Sequence, residues 1–138
     1  MLALVAFAVE ADAQKMEAKD VPAAVTVAFA QSHPLVTNVE WTRGDGNYLA
    51  GYRTGNKDFA QLYNASGALI ETRAEIAFTS MPATAIEYVY KHCADDKCVY
   101  DAAEKAYRIS DQFGSVTYQA QVKDKVLRFD SNGNLVKN

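Results

Sequence analysis

The side chains that could carry catalysis near neutral pH are few: His33, His92, Cys93, Cys98 and a scatter of carboxylates. Nucleophilic catalysis needs a nucleophile, a base and an orienting group within hydrogen-bond reach, and the two histidines are the natural bases. Both fall at the ends of predicted helices, where an imidazole commonly caps free carbonyls, so capping is the expected role of each. Cys93 and Cys98 are the only cysteines, with Ala-Asp-Asp-Lys between them. In an oxidising compartment that pair is expected to form a disulfide. A reactive Cys98/His92 pair would need both thiols reduced, and a metal site would need about four ligands, of which only His92 could add a third. Asp95 and Asp96 are adjacent acids in a loop, and Glu71 and Glu75 stand singly, which does not place two carboxylates across a cleft. Asp130, Asn132 and Asn134 resemble the start of a calcium loop, but Gly133 stands at the fourth position and no bidentate Glu follows. The expectation is no catalytic residue, no metal and no cofactor; the chain is not read as an enzyme.

The elements that carry these residues fall into two similar series. Val21-Pro22-Ala23-Ala24-Val25 and Met81-Pro82-Ala83-Thr84-Ala85 lie 60 residues apart, after the expected helix caps Asp20 and Ser80. Val21, Val25, Ala28 and Phe29 make one apolar stripe of a first helix, which His33-Pro34 ends. Pro82, Ile86, Val89 and Cys93 make the stripe of a second. The period then changes to two, with Val39/Trp41, Tyr48/Ala50/Tyr52 and Phe59/Gln61/Tyr63 separated by Asp45-Gly46 and Thr54-Gly55-Asn56. A fourth strand follows through Leu69 to about Ile76. In the second series the strands are Ala103 to Ile109, Val116 to Val122, Val126 to Phe129 and Leu135-Val136. The turns Asn64-x-x-Gly67 and Asp130-x-x-Gly133 close the two series in the same way. The expected fold is therefore α+β: two tandem repeats, about residues 20–78 and 79–138, each one helix followed by a four-stranded antiparallel β-meander, with the helices packed on one side of the sheet.

The chain has 138 residues, 49% apolar and 22% charged, which suits a single globular domain. Met1 to Val9 are almost wholly apolar, and Ala11-Asp12-Ala13 gives a small-x-small cleavage site before Gln14, so residues 1–13 read as a signal peptide. No Lys or Arg precedes Lys15, so this leader lacks the usual basic start and reads as trimmed or mis-started. Its removal takes away Glu10 and Asp12 and leaves 14 basic against 15 acidic side chains, 17 less 2. That balance gives no electrostatic case for nucleic acid or an anionic membrane. No other stretch approaches the roughly 20 apolar residues of a membrane-spanning helix, so no membrane insertion of the mature chain is expected.

Val21-Pro22-x-x-Val25, Phe29, Pro34, Val39-Glu40-Trp41, Gly46-Asn47-Tyr48 and the two closing turns, in that order, resemble the PepSY-like, or β-lactamase-inhibitor-like (BLIP-like), exported proteins of Bacteroides-type bacteria. The likeness covers about residues 17–138. His33 before Pro34, Asn64 in the first closing turn and the cysteine loop depart from that pattern. The resemblance implies the α+β fold above, a periplasmic or secreted location and, by analogy with a secreted inhibitor, a binding role.

Alternation places Trp41, Tyr48, Tyr52 and Tyr63 toward the helices. The opposite face then carries Leu49, Gly51, Arg53, Ala60 and Leu62, with Gln119, Gln121 and Arg128 in the second series. Leu49, Arg53, Leu62 and Arg128 are the candidate binding residues, Leu49 and Leu62 forming an apolar patch. The expected function is an exported, non-catalytic binding module, inhibitor-like toward an unidentified envelope or secreted protein. The alternatives are a self-associating domain that buries the same face in a homodimer, or a small-ligand binder.

Overall fold

The computed structural model describes residues 14–92, 105–122 and 125–136. The expected leader and the Cys93–Cys98 disulfide both lie outside these residues. The element order is β1 (Gln14–Met16), a 3₁₀ turn (Ala18–Asp20), α1 (Ala23–Ser32), β2 (Glu40–Gly44), β3 (Asn47–Thr54), β4 (Lys57–Tyr63), β5 (Leu69–Ile76), a 3₁₀ turn (Phe78–Ser80), α2 (Ala83–Lys91), β6 (Lys105–Asp111), β7 (Val116–Val122) and β8 (Lys125–Phe129).

Strand order corrects the expected architecture. The strands form one eight-stranded sheet in chain order, not two copies of a helix followed by a four-stranded meander. Two local causes are visible. The residues before α1 form a strand of their own, β1, whose Met16 pairs with Trp41, so the first helix is inserted between strands instead of preceding them. At the other end Leu135 makes only an isolated bridge to Phe129, and Val136 N–H donates to the Arg128 carbonyl, so Leu135-Val136 is not a fourth strand of the second series. The chain divides into two compact units, residues up to Arg73 and from Ala74 on, and the division falls within β5.

In the amino-terminal unit α1 is rich in alanine, a strong helix former, and carries no charged residue. Its N-cap is Pro22, with no side-chain hydrogen bond; Asp20, expected as the cap, ends the 3₁₀ turn instead. Val21, Val25 and Phe29 are buried and pack on Trp41, Tyr48, Ala50, Tyr52 and Tyr63, as the alternation predicts. The strands between are joined by two-residue turns. Asp45 and Gly46 have φ of 54° and 76°, the left-handed pair that matches the twist of a hairpin.

In the carboxy-terminal unit α2 likewise starts at Pro82 without a side-chain cap, and Ser80 ends a 3₁₀ turn. Met81, Ala85 and Val89 are buried against Ala106, Ala120 and Phe129. Thus the inward-packing positions just before and along the two helices, 21/25/29 and 81/85/89, have the same spacing.

One turn design recurs. Asn64 Oδ1 accepts from Ser66 N and Ala68 N, Asp111 Oδ1 from Phe113 N and Ser115 N, and Asp130 Oδ1 from Asn132 N and Asn134 N. In each, the glycine at the fourth position is left-handed, with φ of 88°, 85° and 89° at Gly67, Gly114 and Gly133. Backbone donation, from Asn134 first, holds the Asp130 carboxyl below the usual carboxylate range. Because the folded value is depressed, this carboxylate's contribution to stability is present above the ordinary Asp range and is lost as pH falls through the folded value. On acid titration followed by NMR, the Asn132 and Asn134 amides are expected to lose protection with the Asp130 titration. Asp130→Asn should remove that pH dependence, and an unchanged acid profile in the variant would contradict the assignment.

Candidate functional site

At the end of α1 the chemistry-bearing side chains converge on His33. The ring stacks on Phe29, one helical turn earlier, at 4.8 Å and 10°, and lies 5.2 Å from Tyr52 of β3. Its Nδ1 is 2.8 Å from Ser32 Oγ and its Nε2 is 3.2 Å from Gln61 Nε2 on β4. Gln61 is only 7% exposed, and its Oε1 has no hydrogen-bond partner among the described residues. Both ring nitrogens of His33 thus have a polar neighbour, and which of them donates depends on the tautomer. A base for the Ser32 hydroxyl would need the tautomer with a free lone pair on Nδ1. The hydroxyl also sits 3.2 Å from the carbonyls of Ala28 and Phe29, as a helix-end serine does. Nearby, the Tyr52 phenol is raised above its ordinary pKa, first by burial and then by Tyr63; burial also raises Tyr63, against a hydrogen bond with Ser32. Both phenols stay protonated at neutral pH.

His92 holds the corresponding place after α2. Its Nδ1 lies 3.0 Å from the Tyr88 carbonyl, and its ring stacks on Tyr88 at 4.0 Å. Carbonyl capping by the imidazole is therefore seen at His92. At His33 it is the backbone N–H, 2.8 Å from the Phe29 carbonyl, that caps the helix. Among the described residues no group of three or more His, Cys, Asp or Glu side chains is arranged to hold a metal. Glu71 pairs with Arg73 at 2.8 Å, and Glu75 lies 3.7 Å from Lys105. Asp95 and Asp96 fall outside the described residues.

The candidate binding residues of the amino-terminal unit share one face, as the alternation requires. Leu49 stands opposite Leu62, Gly51 opposite Ala60 and Arg53 opposite Asp58. Their accessibility is less than alternation alone suggests: Leu49 is 8% exposed and Leu62 half-buried. Arg53 donates from its guanidinium to Asp58 Oδ1 at 2.9 Å and to the Asn56 carbonyl at 3.1 Å, bracing the β3–β4 turn. Beside it an open cleft of about 710 Å³ is lined by Lys15, Asn38, Glu40, Trp41 and Arg53, with Lys15 and Glu40 paired at 2.8 Å. In the carboxy-terminal unit Arg128 is half-buried opposite Gln119. Gln119, expected on the open face, is 1% exposed, and its other cross-strand neighbour Tyr107 is fully buried.

Sequence reasoning missed Phe113. It is 84% exposed in the turn between β6 and β7. The signal was available, since Asp111-x-x-Gly114 has the same spacing as the two closing turns that had been singled out.

No family model and no curated protein sequence matches the chain. Solved structures do. A Bacteroides eggerthii protein described as periplasmic is similar at a TM-score of 0.68 and 13% identity, covering 85% of this chain and 86% of that one. A DUF2874 family protein of Bacteroides ovatus is similar at 0.62 and 14% identity, over 85% of both chains. A BLIP-like protein of Bacteroides fragilis gives 0.55 and 14% identity, over 83% of this chain and 82% of that one. At these identities the likeness is one of fold, and the fold of this chain is the BLIP-like fold found in these Bacteroides proteins.

Proposed function

We propose that the chain is an exported, non-catalytic protein-binding module of the PepSY-like type, inhibitor-like toward a protein of the cell envelope or secreted space. The observation that carries this reading is how the chemistry-bearing side chains are engaged. His33 is held between Ser32 and Gln61, His92 caps Tyr88, and Asp111 and Asp130 lock turns. Each fixes the shape of the surface instead of facing a reacting atom, and fixed shape is what a recognition module needs. The fold shared with a periplasmic and a BLIP-like protein supports the same reading by analogy.

The test is capture from the native envelope fraction on the immobilised protein, followed by titration calorimetry with the purified captured protein. One protein binding with a Kd of about 1 μM or tighter is expected, the range of specific complexes of standard size. If nothing binds and sedimentation shows a concentration-dependent dimer, the module is self-associating and the proposal fails.

A further inference from the structure

The expected leader ends at Ala11-Asp12-Ala13, and its removal would make Gln14 the first residue of the mature chain. A glutamine in that place has a chemistry of its own. Its carboxamide carbon lies within reach of its own α-amine, and the two can close to a five-membered lactam. Signal cleavage asks for the small residues before the cut, so it does not account for a glutamine after it. The structure puts this residue where the state of the amine matters. Gln14 belongs to β1, pairs with Arg43 of β2 and is exposed. β1 has only 3 residues and lies at the edge of the sheet. It nevertheless brings Lys15 to within 2.8 Å of Glu40 and packs Met16 against the aromatic core of the amino-terminal unit. A short edge strand at a chain terminus is where fraying and proteolysis concentrate.

We infer that Gln14 is a modification site: once the leader is removed, its α-amine closes on its own side chain to a pyroglutamyl end, which guards β1 against aminopeptidases. This rests on the export part of the reading above and not on the binding part. In the step, Nα attacks Cδ of the carboxamide. The Nα–Cδ bond forms, the Cδ–Nε2 bond breaks, and a proton passes from the amine to the departing nitrogen, which leaves as ammonia. Nothing is oxidised or reduced. Aminopeptidases recognise a free α-ammonium, and the lactam has none. The local charges favour the same product. Beside Gln14 an open hollow of about 310 Å³ is lined by Arg43, Gly44, Asp45 and Gly46. A free α-amine is charged at neutral pH and would stand opposite Arg43, and like charges directly opposite on paired strands are unfavourable. The neutral lactam leaves one cation, Arg43, and one carboxylate, Asp45, in the hollow.

The test uses the protein made from its own gene in its own cells, with intact mass and N-terminal peptide read at once after isolation and again after storage. The expected result is a mature chain that starts at Gln14 and is one ammonia short in the first reading. Gln14→Asn, whose side chain is one carbon too short for this lactam, should keep its ammonia. A broad-specificity aminopeptidase should then leave wild type whole and shorten the variant at least through Met16 in the same time. Circular dichroism of the undigested variant should match wild type, since the side chain at this position is exposed. A chain that starts at Gln14 and retains its ammonia, or loses it only on storage, overturns the inference and leaves export standing. A different first residue after cleavage does the same. A chain that keeps residues 1–13 overturns the inference and the export reading together. Equal resistance of wild type and Gln14→Asn to the aminopeptidase overturns the guarding role.

Discussion

Phe29→Ala is expected to destabilise the amino-terminal unit by about 3–5 kcal/mol, the range for removing a buried phenylalanine. The ring is 3% exposed and meets three others: His33 in a stack, and Trp41 and Tyr52 edge-on at 5.8 and 5.6 Å. Its loss removes the transfer free energy of the side chain and leaves rings that cannot all collapse into the gap. It also frees His33 from its stacking partner while Gln61 still faces it, so the end of α1 should loosen with the core. Trp41 is the only tryptophan, so urea unfolding followed by its fluorescence reports on this unit directly. The midpoint should fall sharply. Val27→Ala on the same helix, at a position 51% exposed, should stay within about 0.5 kcal/mol of wild type, as surface changes usually do. A loss under about 1 kcal/mol for Phe29→Ala would mean that the aromatic cluster is not the centre of this core.

The second large effect separates two glycines with nearly the same backbone. Gly67 and Gly114 have φ of 88° and 85°, so alanine at either carries the left-handed penalty of about 1–2 kcal/mol. At Gly67 the new methyl also lies 2.6 Å from the Ala24 carbonyl oxygen and 3.0 Å from its carbon, backbone atoms of a helix that cannot step aside alone. Either α1 shifts off the sheet or the turn rebuilds, and overpacking of this kind adds about 1–3 kcal/mol. Gly67→Ala should therefore cost about 2–5 kcal/mol and Gly114→Ala only the first part, measured by chemical denaturation of each against wild type. Equal losses would show that Gly67 is there for its backbone angle and not for the close approach of turn to helix.

Much of the local structure was legible in the sequence because its signals are short-range. The stripe Val21, Val25, Phe29 and the alternation of Trp41, Tyr48, Tyr52 and Tyr63 locate the core of the amino-terminal unit, since periodicity follows directly from backbone geometry. Asp45-Gly46 gave its hairpin for the same reason. The architecture was harder. β1 is Gln14-Lys15-Met16, with no alternation to mark it, and it belongs to the sheet through main-chain pairing with β2, which composition does not encode. The closing turn of the carboxy-terminal unit looked like its counterpart, yet only a single bridge follows it. The candidate site shows a further limit. Alternation put Leu49 and Gln119 on the right faces but could not say that these faces bury them, at 8% and 1% exposure, because burial depends on everything packed nearby. Phe113 lies in neither a helix stripe nor a strand alternation, and only its turn reveals that it stands in solvent.

Strand order equal to chain order has a consequence for how fast the molecule can form. Pairing between consecutive strands keeps most of the loops to be closed short, and short loops lose little chain entropy on closure. The β2–β3, β3–β4, β6–β7 and β7–β8 pairings each close over only a few residues. The β1–β2 closure is longer: the whole of α1 and the segment after it lie between the two strands, and α1 has neither a side-chain cap nor a charge to hold it alone. Short closures therefore favour rapid zipping of these hairpins, whereas attachment of the first strand must gather helix, aromatic cluster and sheet at once.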